Sequence, residues 1–469
     1  MAPPQPSTAQ PYRPDLAVLS LGEGFFDPVE AAAFPEMTLR FANQRWASRV
    51  GLGDLDDAGW VRHFGRFEPL ADNLPNPLAL RYHGHQFRVY NPDIGDGRGF
   101  LFAQLRDDRG RLLDLGTKGS GQTPYSRFGD GRLTLKGGVR EVLATEMLEA
   151  LGVDTSKSFA LIETGEPLTR NDEPSPTRSA VLTRLSHSHV RIGTFQRLAF
   201  HEDVAGIAQL VRYSLERLFD ETPVTDEAAN AVRLFDLTAA ATARLAASYL
   251  AAGFVHGVLN SDNINITGES FDYGPWRFAP SWDEAFVAAY FDHNGLYAFG
   301  RQPEAIHWDL AQLGGCLALV ADGPALADIL GSWPKRFEQA LVVTLVRRLG
   351  IEPDETADRA LVPALLVALR TQAVTIDRLF FDWRGGRIPD ADVYRHEAFA
   401  VLKELLAGRT PLPYALDHDY WSDAGPCSMH IDEVEAIWTS IATNDDWAPF
   451  EAKIAAIRRM GDAMTPPCA

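Results

Sequence analysis

Near residue 200 the chain changes character, and that change limits what it can fold into more than any other feature. Before it, short apolar runs alternate with glycine-rich turns; after it, long stretches keep helical spacing. Gly99–Arg106 and Arg111–Lys118, joined by the turn Asp107–Gly110, predict a β-hairpin. Ser158–Glu163 and Ser179–Ser186 predict a second strand pair, and Gly138–Leu151 between the pairs carries good helix formers. Residues 28–50 predict one or two helices. Beyond the break, helices are expected over 204–219, 228–252, 303–321, 335–349, 360–381, 393–407, 431–443 and 447–461, with Gly253 ending the second. The expected fold class is therefore α+β. A flexible tail over 1–14 precedes a strand-rich unit over 15–200, and a larger, mainly helical unit follows over 201–469.

A length of 469 residues supports two such units, and 46% hydrophobic content supplies their cores. The net charge of −19 argues against nucleic acid or an anionic membrane as partner, although a local basic pocket for a small anion remains compatible with it. No run of about 18 uncharged apolar residues is present, so no membrane span is expected. The opening MAPPQPSTAQPYRPDLAV lacks the apolar run of a signal peptide. Cys316, Cys427 and Cys468 form no CxxC pair, which disfavours a thiolate zinc site and fits a reducing compartment. A cytoplasmic monomer is the expectation.

The stretch GFVHGVLNSDNINITGESFDYGP, residues 253–275, concentrates the chemistry. Asn263–Thr267 alternates like a strand, Gly268-Glu269-Ser270 reads as a turn, and Phe271–Gly274 reads as the returning strand. Such a hairpin would aim Asn263 and Asp272 at one hard cation, Mg²⁺ or Mn²⁺. Asp262, one residue earlier, is left to accept a proton or orient a hydroxyl. Each of these residues taken singly reads as a turn cap. Lys118 closes a strand below a glycine turn, and Glu141 lies on the next helix, on the face that can look back at it. That order is how protein kinases grip phosphates. Arg184 and Arg191 could fork phosphate oxygens. The glycine turns GDGR (95–98) and DGR (130–132) could bring backbone N–H groups close to a phosphate. His85, His187, His189 and His256 show no metal spacing and read as core, capping or surface residues.

YHGHQF (82–87), IGDGRG (94–99), DLGTKGSGQTPYSRFGDGR (114–132), VREVLATEML (139–148), LTRLSHSHVRIGTF (182–195), residues 253–275 and RQPEAIHWDL (301–310) resemble the selenoprotein O family. The resemblance runs from about residue 15 to the C-terminus and is dense between 80 and 310. It implies a protein-kinase-like bilobal fold and protein adenylylation, with AMP from ATP going to a Ser, Thr or Tyr hydroxyl and pyrophosphate leaving. The nucleotide would sit flipped relative to kinases, and some members use UTP with Mn²⁺. The resemblance places Gly95, Gly97, Arg98, Lys118, Asp130, Gly131, Arg184 and Arg191 at the nucleotide. Glu141 would pair with Lys118, Asp262 would take the proton, and Asn263 and Asp272 would hold the metal. Asp309 stands where the family's Asn is expected, and Ser261 replaces a common Thr. Cys468 matches a C-terminal Cys of many members, but residues 275–300 hold no Cys to pair with it. A kinase that moves the γ-phosphate, UMP transfer from UTP and a non-catalytic ATP-binding scaffold remain the alternatives.

Overall fold

In the computed structural model residues 10–465 are described. Strands β1 (Pro14–Asp15), β2 (Phe26–Pro28), β3 (Thr38–Ala42), β4 (Leu78–Leu80), β7 (Leu101–Arg106), β8 (Leu112–Lys118), β9 (Leu133–Thr134), β10 (Lys157–Leu168) and β11 (Thr177–Ser186) build one antiparallel sheet. Its order is β2-β4-β7-β8-β11-β10-β3, with β1 added to β7 and β9 to β11. A small hairpin, β5 (Gly84–Gln86) with β6 (Val89–Asn91), stands apart from this sheet. The pair β12 (Phe254–Val255) and β13 (Arg277–Phe278) brackets the 257–275 segment.

β8 is buried along its whole length and β7 nearly so, which is why β7 reads as a largely apolar run rather than an alternating one. One group of aromatics includes Trp60 and Phe159, ring centroids 5.0 Å apart, with Phe64 and Phe102. The helix α3 (Leu135–Ala150) packs on β10 and β11 and joins the main core. Thr134 Oγ1 caps α3 by accepting from Gly137 N at 3.1 Å.

Two short helices, α1 (Gln44–Arg49) and α2 (Asp57–Phe64), precede it, and α4 (Ile192–Phe200) and α5 (Val204–Leu218) follow β11. The long α6 (Glu227–Ala252) starts at the Asp226 cap and ends at Gly253, φ 69°, as its sequence predicts. Then come α7 (Gln302–Leu317), α8 (Gly323–Leu349), α9 (Glu355–Arg370), α10 (Ile376–Asp382), α11 (Ala398–Leu406), α12 (Ile431–Asn444) and α13 (Ala448–Met464). The sequence reading started α8 late because Pro334 lies inside it, and it fused α9 with α10. No helix among the described residues is long and apolar enough to cross a membrane.

Three expectations are corrected. Residues 28–50 hold strand β3 and the short α1, because Pro28 and Pro35 break a helix and β3 finds edge pairing on β10. The tail is not loose up to residue 14: Tyr12 Oη accepts from Asn73 Nδ2 at 2.9 Å, and Arg106 N donates to Arg13 O at 2.9 Å. Residues 1–9 and 466–469, including Cys468, lie outside the described residues. The hairpin expected over 263–274 does not form. Asn265 bridges Arg191 and Ser270 bridges Thr155, so its two halves pair with different neighbours. The segment is almost wholly buried, and its backbone groups must find partners wherever they are offered: Ser270 N donates to Asp154 O at 2.9 Å.

The C-terminal α13 seats on α3 through a buried carboxylate. Arg458 Nε and Nη2 donate to the two Glu146 oxygens, both at 2.8 Å, and Glu146 is 3% exposed. Arg458→Ala leaves that carboxylate with only Asn43 at 3.3 Å and Arg45 at 3.9 Å. We expect about 2 kcal/mol lower stability, read from the urea midpoint. An unchanged midpoint would show that water solvates Glu146.

Candidate active site

Adjacent strands place the first three groups. Lys118 ends β8, opposite Leu182 of β11, so Arg184 two residues on shares its face. Lys118 Nζ lies 2.7 Å from Glu141 Oε2 and 2.8 Å from Asp272 Oδ1. Arg184 Nη1 lies 3.2 Å from the same Asp272 oxygen and 3.5 Å from Glu141 Oε1. Lys118 and Arg184 are buried and Glu141 is fully so; the Asp272 side chain keeps 32% exposure to the cleft. Burial works against the Asp272 charge, but Lys118, then Arg184 and Arg98, hold its carboxyl well below the ordinary range. Asp272 sits at φ 61°, a left-handed conformation that Asp tolerates better than most residues.

The cleft above these groups has a volume of about 630 Å³, within the range of small-molecule sites. The glycine turn Ile94–Gly99 and the loop Tyr125–Arg132 form its rim. A Cβ on Gly95 would lie 2.5 Å from the Tyr125 ring, so glycine lets the two rims close on each other. Ser126 Oγ donates to Gly97 O at 2.6 Å, adding a second tie. Gly131, φ 69°, presses on the Gly121 backbone. Asp130 is turned to Arg170, 2.8 Å away, and Arg98 is exposed at the rim.

Asp262 and Arg191 form the far wall. Asp262 is 8% exposed on a 3-10 turn, Ser261–Asn263, and its Oδ1 has no hydrogen-bond partner. Burial pushes its pKa up to about 6, against the pull of Arg191. Its carboxyl is thus still mostly ionised at neutral pH and can accept a proton. Gly84 and Gly193 leave the room in which this residue packs. Arg191 is 3% exposed, lies over the Tyr82 ring at 4.0 Å and the Phe271 ring at 5.0 Å, and faces Asp96 Oδ1 at 3.5 Å.

Of the residues singled out by sequence, Gly95, Gly97, Arg98, Lys118, Asp130, Gly131, Arg184, Arg191, Asp262 and Asp272 line one cleft, and Glu141 backs it. Asn263 does not line it; its Nδ2 donates to Val258 O at 3.0 Å. Three contributors escaped the sequence reading: Tyr82, Asp96 and Tyr125. Asp96 lies inside GDGR and Tyr125 inside the polar loop, so their motifs were visible although their roles were not. His256, read as a bystander, is fully buried, and its Nε2 meets Phe271 O at 3.0 Å, next to Asp272. Asp309 is 1% exposed; burial, then the Asp262 charge, holds its carboxyl well above the usual range.

No group of three or more His, Cys, Asp or Glu placed for a metal occurs among the described residues. The oxygen donors expected from the sequence are not brought together: Asp272 lines the cleft and Asn263 does not, so the cleft itself offers a sparse, oxygen-only set. It fits a hard cation that keeps waters and shares phosphate oxygens, and it does not fit zinc. Among the described residues Cys316 and Cys427 form no disulfide, and burial pushes the Cys316 thiol up to about 12, so it is inert.

Glu269, in the same segment, tunes stability. Its Oε2 accepts from His187 N at 2.7 Å, and burial, with Asp154 adding, pushes its pKa up to about 8 from 4.5. The native state therefore keeps a proton that the unfolded chain releases. Stability is full below 4.5 and is lost as pH rises through 8. Glu269→Gln is expected to gain on the order of 2 kcal/mol at pH 8 and almost nothing at pH 4.5. Melting curves across that range check this, and a pH-independent difference would contradict it.

Comparison with known proteins adds the family. The family model described as "Protein adenylyltransferase SelO" matches residues 8–403. A protein nucleotidyltransferase YdiU of Synechocystis sp. is 42% identical over 464 residues, covering 94% of this chain and 96% of that protein. Another, of Synechococcus elongatus, is 40% identical over 490 residues, covering 97% and 96%. A third, of Gloeobacter violaceus, is 41% identical over 466 residues, covering 96% and 95%.

Proposed function

Because the chain belongs to the SelO family of protein adenylyltransferases, we propose that its cleft takes ATP and passes AMP to a Ser, Thr or Tyr hydroxyl of a protein, releasing pyrophosphate. The single observation that carries this reading is the buried cationic floor. Lys118 and Arg184 lie at the bottom of the cleft and Arg191 on its far wall, 4%, 7% and 3% exposed. Buried cations of this kind suit the terminal phosphates of an inward-pointing nucleotide. The α-phosphate would then lie toward the open rim, where a protein hydroxyl can reach it.

In this reading the glycine turns around Gly95, Gly97 and Gly131, with Arg98 and Asp130, hold the nucleotide. Glu141 fixes Lys118. Asp262 accepts the proton of the attacking hydroxyl as the bond to the α-phosphorus forms and pyrophosphate departs. Asn263 and Asp272 would hold Mg²⁺ or Mn²⁺, which supplies positive charge to the phosphates. We read the fold as a protein-kinase-like pair of lobes, 15–200 and 201–469. The support is a sheet carrying the Lys, a helix carrying the Glu, and a helical second half carrying Asp262, Asn263 and Asp272.

The test is the leaving group. Enzyme, ATP, metal and an acceptor protein are expected to release pyrophosphate. Release of ADP instead would mean γ-phosphate transfer, and no turnover despite ATP binding would mean a scaffold. UTP in place of ATP, compared under Mg²⁺ and Mn²⁺, reads the nucleotide preference.

A further inference from the structure

A second cavity, of about 470 Å³, lies away from the cleft where six pieces of chain meet. Its walls are the C-terminal end of α3 with the turn to Asp154, the facing sides of α6 and α8, Thr267–Gly268, Arg384, and Met464–Thr465 at the end of α13. Much of its lining is apolar, supplied by Ala150, Leu245, Ala251 and Val343.

Four arginines ring it: Arg244, Arg347, Arg348 and Arg384. Arg244 and Arg347 are exposed, and among the described residues neither side chain has an ion-pair or hydrogen-bond partner. Arg348 and Arg384 lie deeper, 7% and 1% exposed. Arg348 gives Nη2 to Asp377 at 2.6 Å, but its Nε and Nη1 have no partner among the described residues. Arg384 gives Nη1 to the carbonyls of Arg347 and Arg348, both at 3.0 Å, and its Nη2 has none. Of the carboxylates on the wall, Glu149 is turned to Arg45 at 3.0 Å, and Asp154 is the other. In a chain of net charge −19, this concentration of positive charge short of acceptors runs against the average surface.

We infer that this cavity binds a small organic anion, with a phosphate, sulfonate or carboxylate head between Arg244 and Arg347 and an apolar body on the lining below. The volume suits such a ligand, and arginine forks suit its head group. The cavity shares no lining residue with the cleft, so its ligand would act on the cleft only through the elements between them. Its ligand would touch both the end of α3, the helix that carries Glu141, and Gly268, whose φ of 74° seats it against the Ala241 backbone. That action on the cleft rests on the proposed function; the binding itself does not.

The test uses the full chain and 8-anilinonaphthalene-1-sulfonate as probe, followed by fluorescence, with inorganic phosphate as competitor for the head-group position. One saturable site, weakened by phosphate, is expected in the parent protein. Asp272→Ala should keep it, because the cleft is elsewhere. Arg244→Glu with Arg347→Glu, both exposed, should weaken it by at least about tenfold at an unchanged melting temperature. Val343→Trp, which fills the lining and leaves every charge in place, should weaken it as well. Unchanged probe affinity in the charge-reversed protein, or loss of the site in Asp272→Ala, overturns the assignment. Either result leaves the leaving-group test of the cleft unaffected.

Discussion

Asp272→Ala is expected to lower transfer by at least about a thousandfold while nucleotide binding survives. The carboxylate lines the cleft and is addressed by both Lys118, at 2.8 Å, and Arg184, at 3.2 Å, which share the buried Glu141 behind it. Its removal deletes a proposed metal ligand and also frees two buried cations. For metal-free ATP only the second effect operates, so it should bind as tightly as before or more tightly. Transfer, which needs the metal's charge on the phosphates, should collapse. Labelled-nucleotide incorporation and calorimetric titration on the same protein separate the two. Full activity in the variant would remove Asp272 from the metal site.

Lys118→Met has the next largest effect, and it falls on stability as well as function. Glu141 is fully buried, and its closest cation is Lys118 at 2.7 Å; Arg184 stands at 3.5 Å. Without Lys118 that carboxylate is left under-compensated, a loss of about 3 kcal/mol. ATP affinity should fall by about tenfold or more through the lost phosphate contact. The pair Lys118→Met with Glu141→Gln distinguishes the two roles. It should recover most of the stability, because no buried charge is stranded, and none of the transfer. Recovery of both would mean that Lys118 serves only the fold.

The parts of this molecule legible in its sequence are those set by local rules. Helix α6 announced its end through Gly253, and β7 and β8 announced themselves as two runs joined by the turn Asp107–Gly110. The meeting of Lys118 with Glu141 was expected from strand and helix order, and the two lie 2.7 Å apart. What the sequence hid depends on partners far along the chain. Asn263–Gly274 has the alternation and turn of a hairpin, yet Asn265 bridges Arg191 and Ser270 bridges Thr155. Alternation records that a residue is buried, not which strand buries it. Tyr125 gave no signal, because its importance lies in a glycine 30 residues earlier that leaves room for its ring. His256 was legible as a core, capping or surface residue, and it is buried; its bond to the carbonyl beside Asp272 needs the fold. The second cavity was invisible for the same reason, since Arg244, Arg347, Arg348 and Arg384 come from three separate stretches of chain.

The central claim is that the bond broken lies at the α-phosphate. Incubation of the protein with ATP labelled at either the α- or the γ-phosphate, plus Mg²⁺ or Mn²⁺ and an acceptor protein, tests it directly. The account predicts protein-bound label from α-labelled ATP alone, abolished by Asp272→Ala. Label arriving from γ-labelled ATP alone would contradict it and make this protein a kinase.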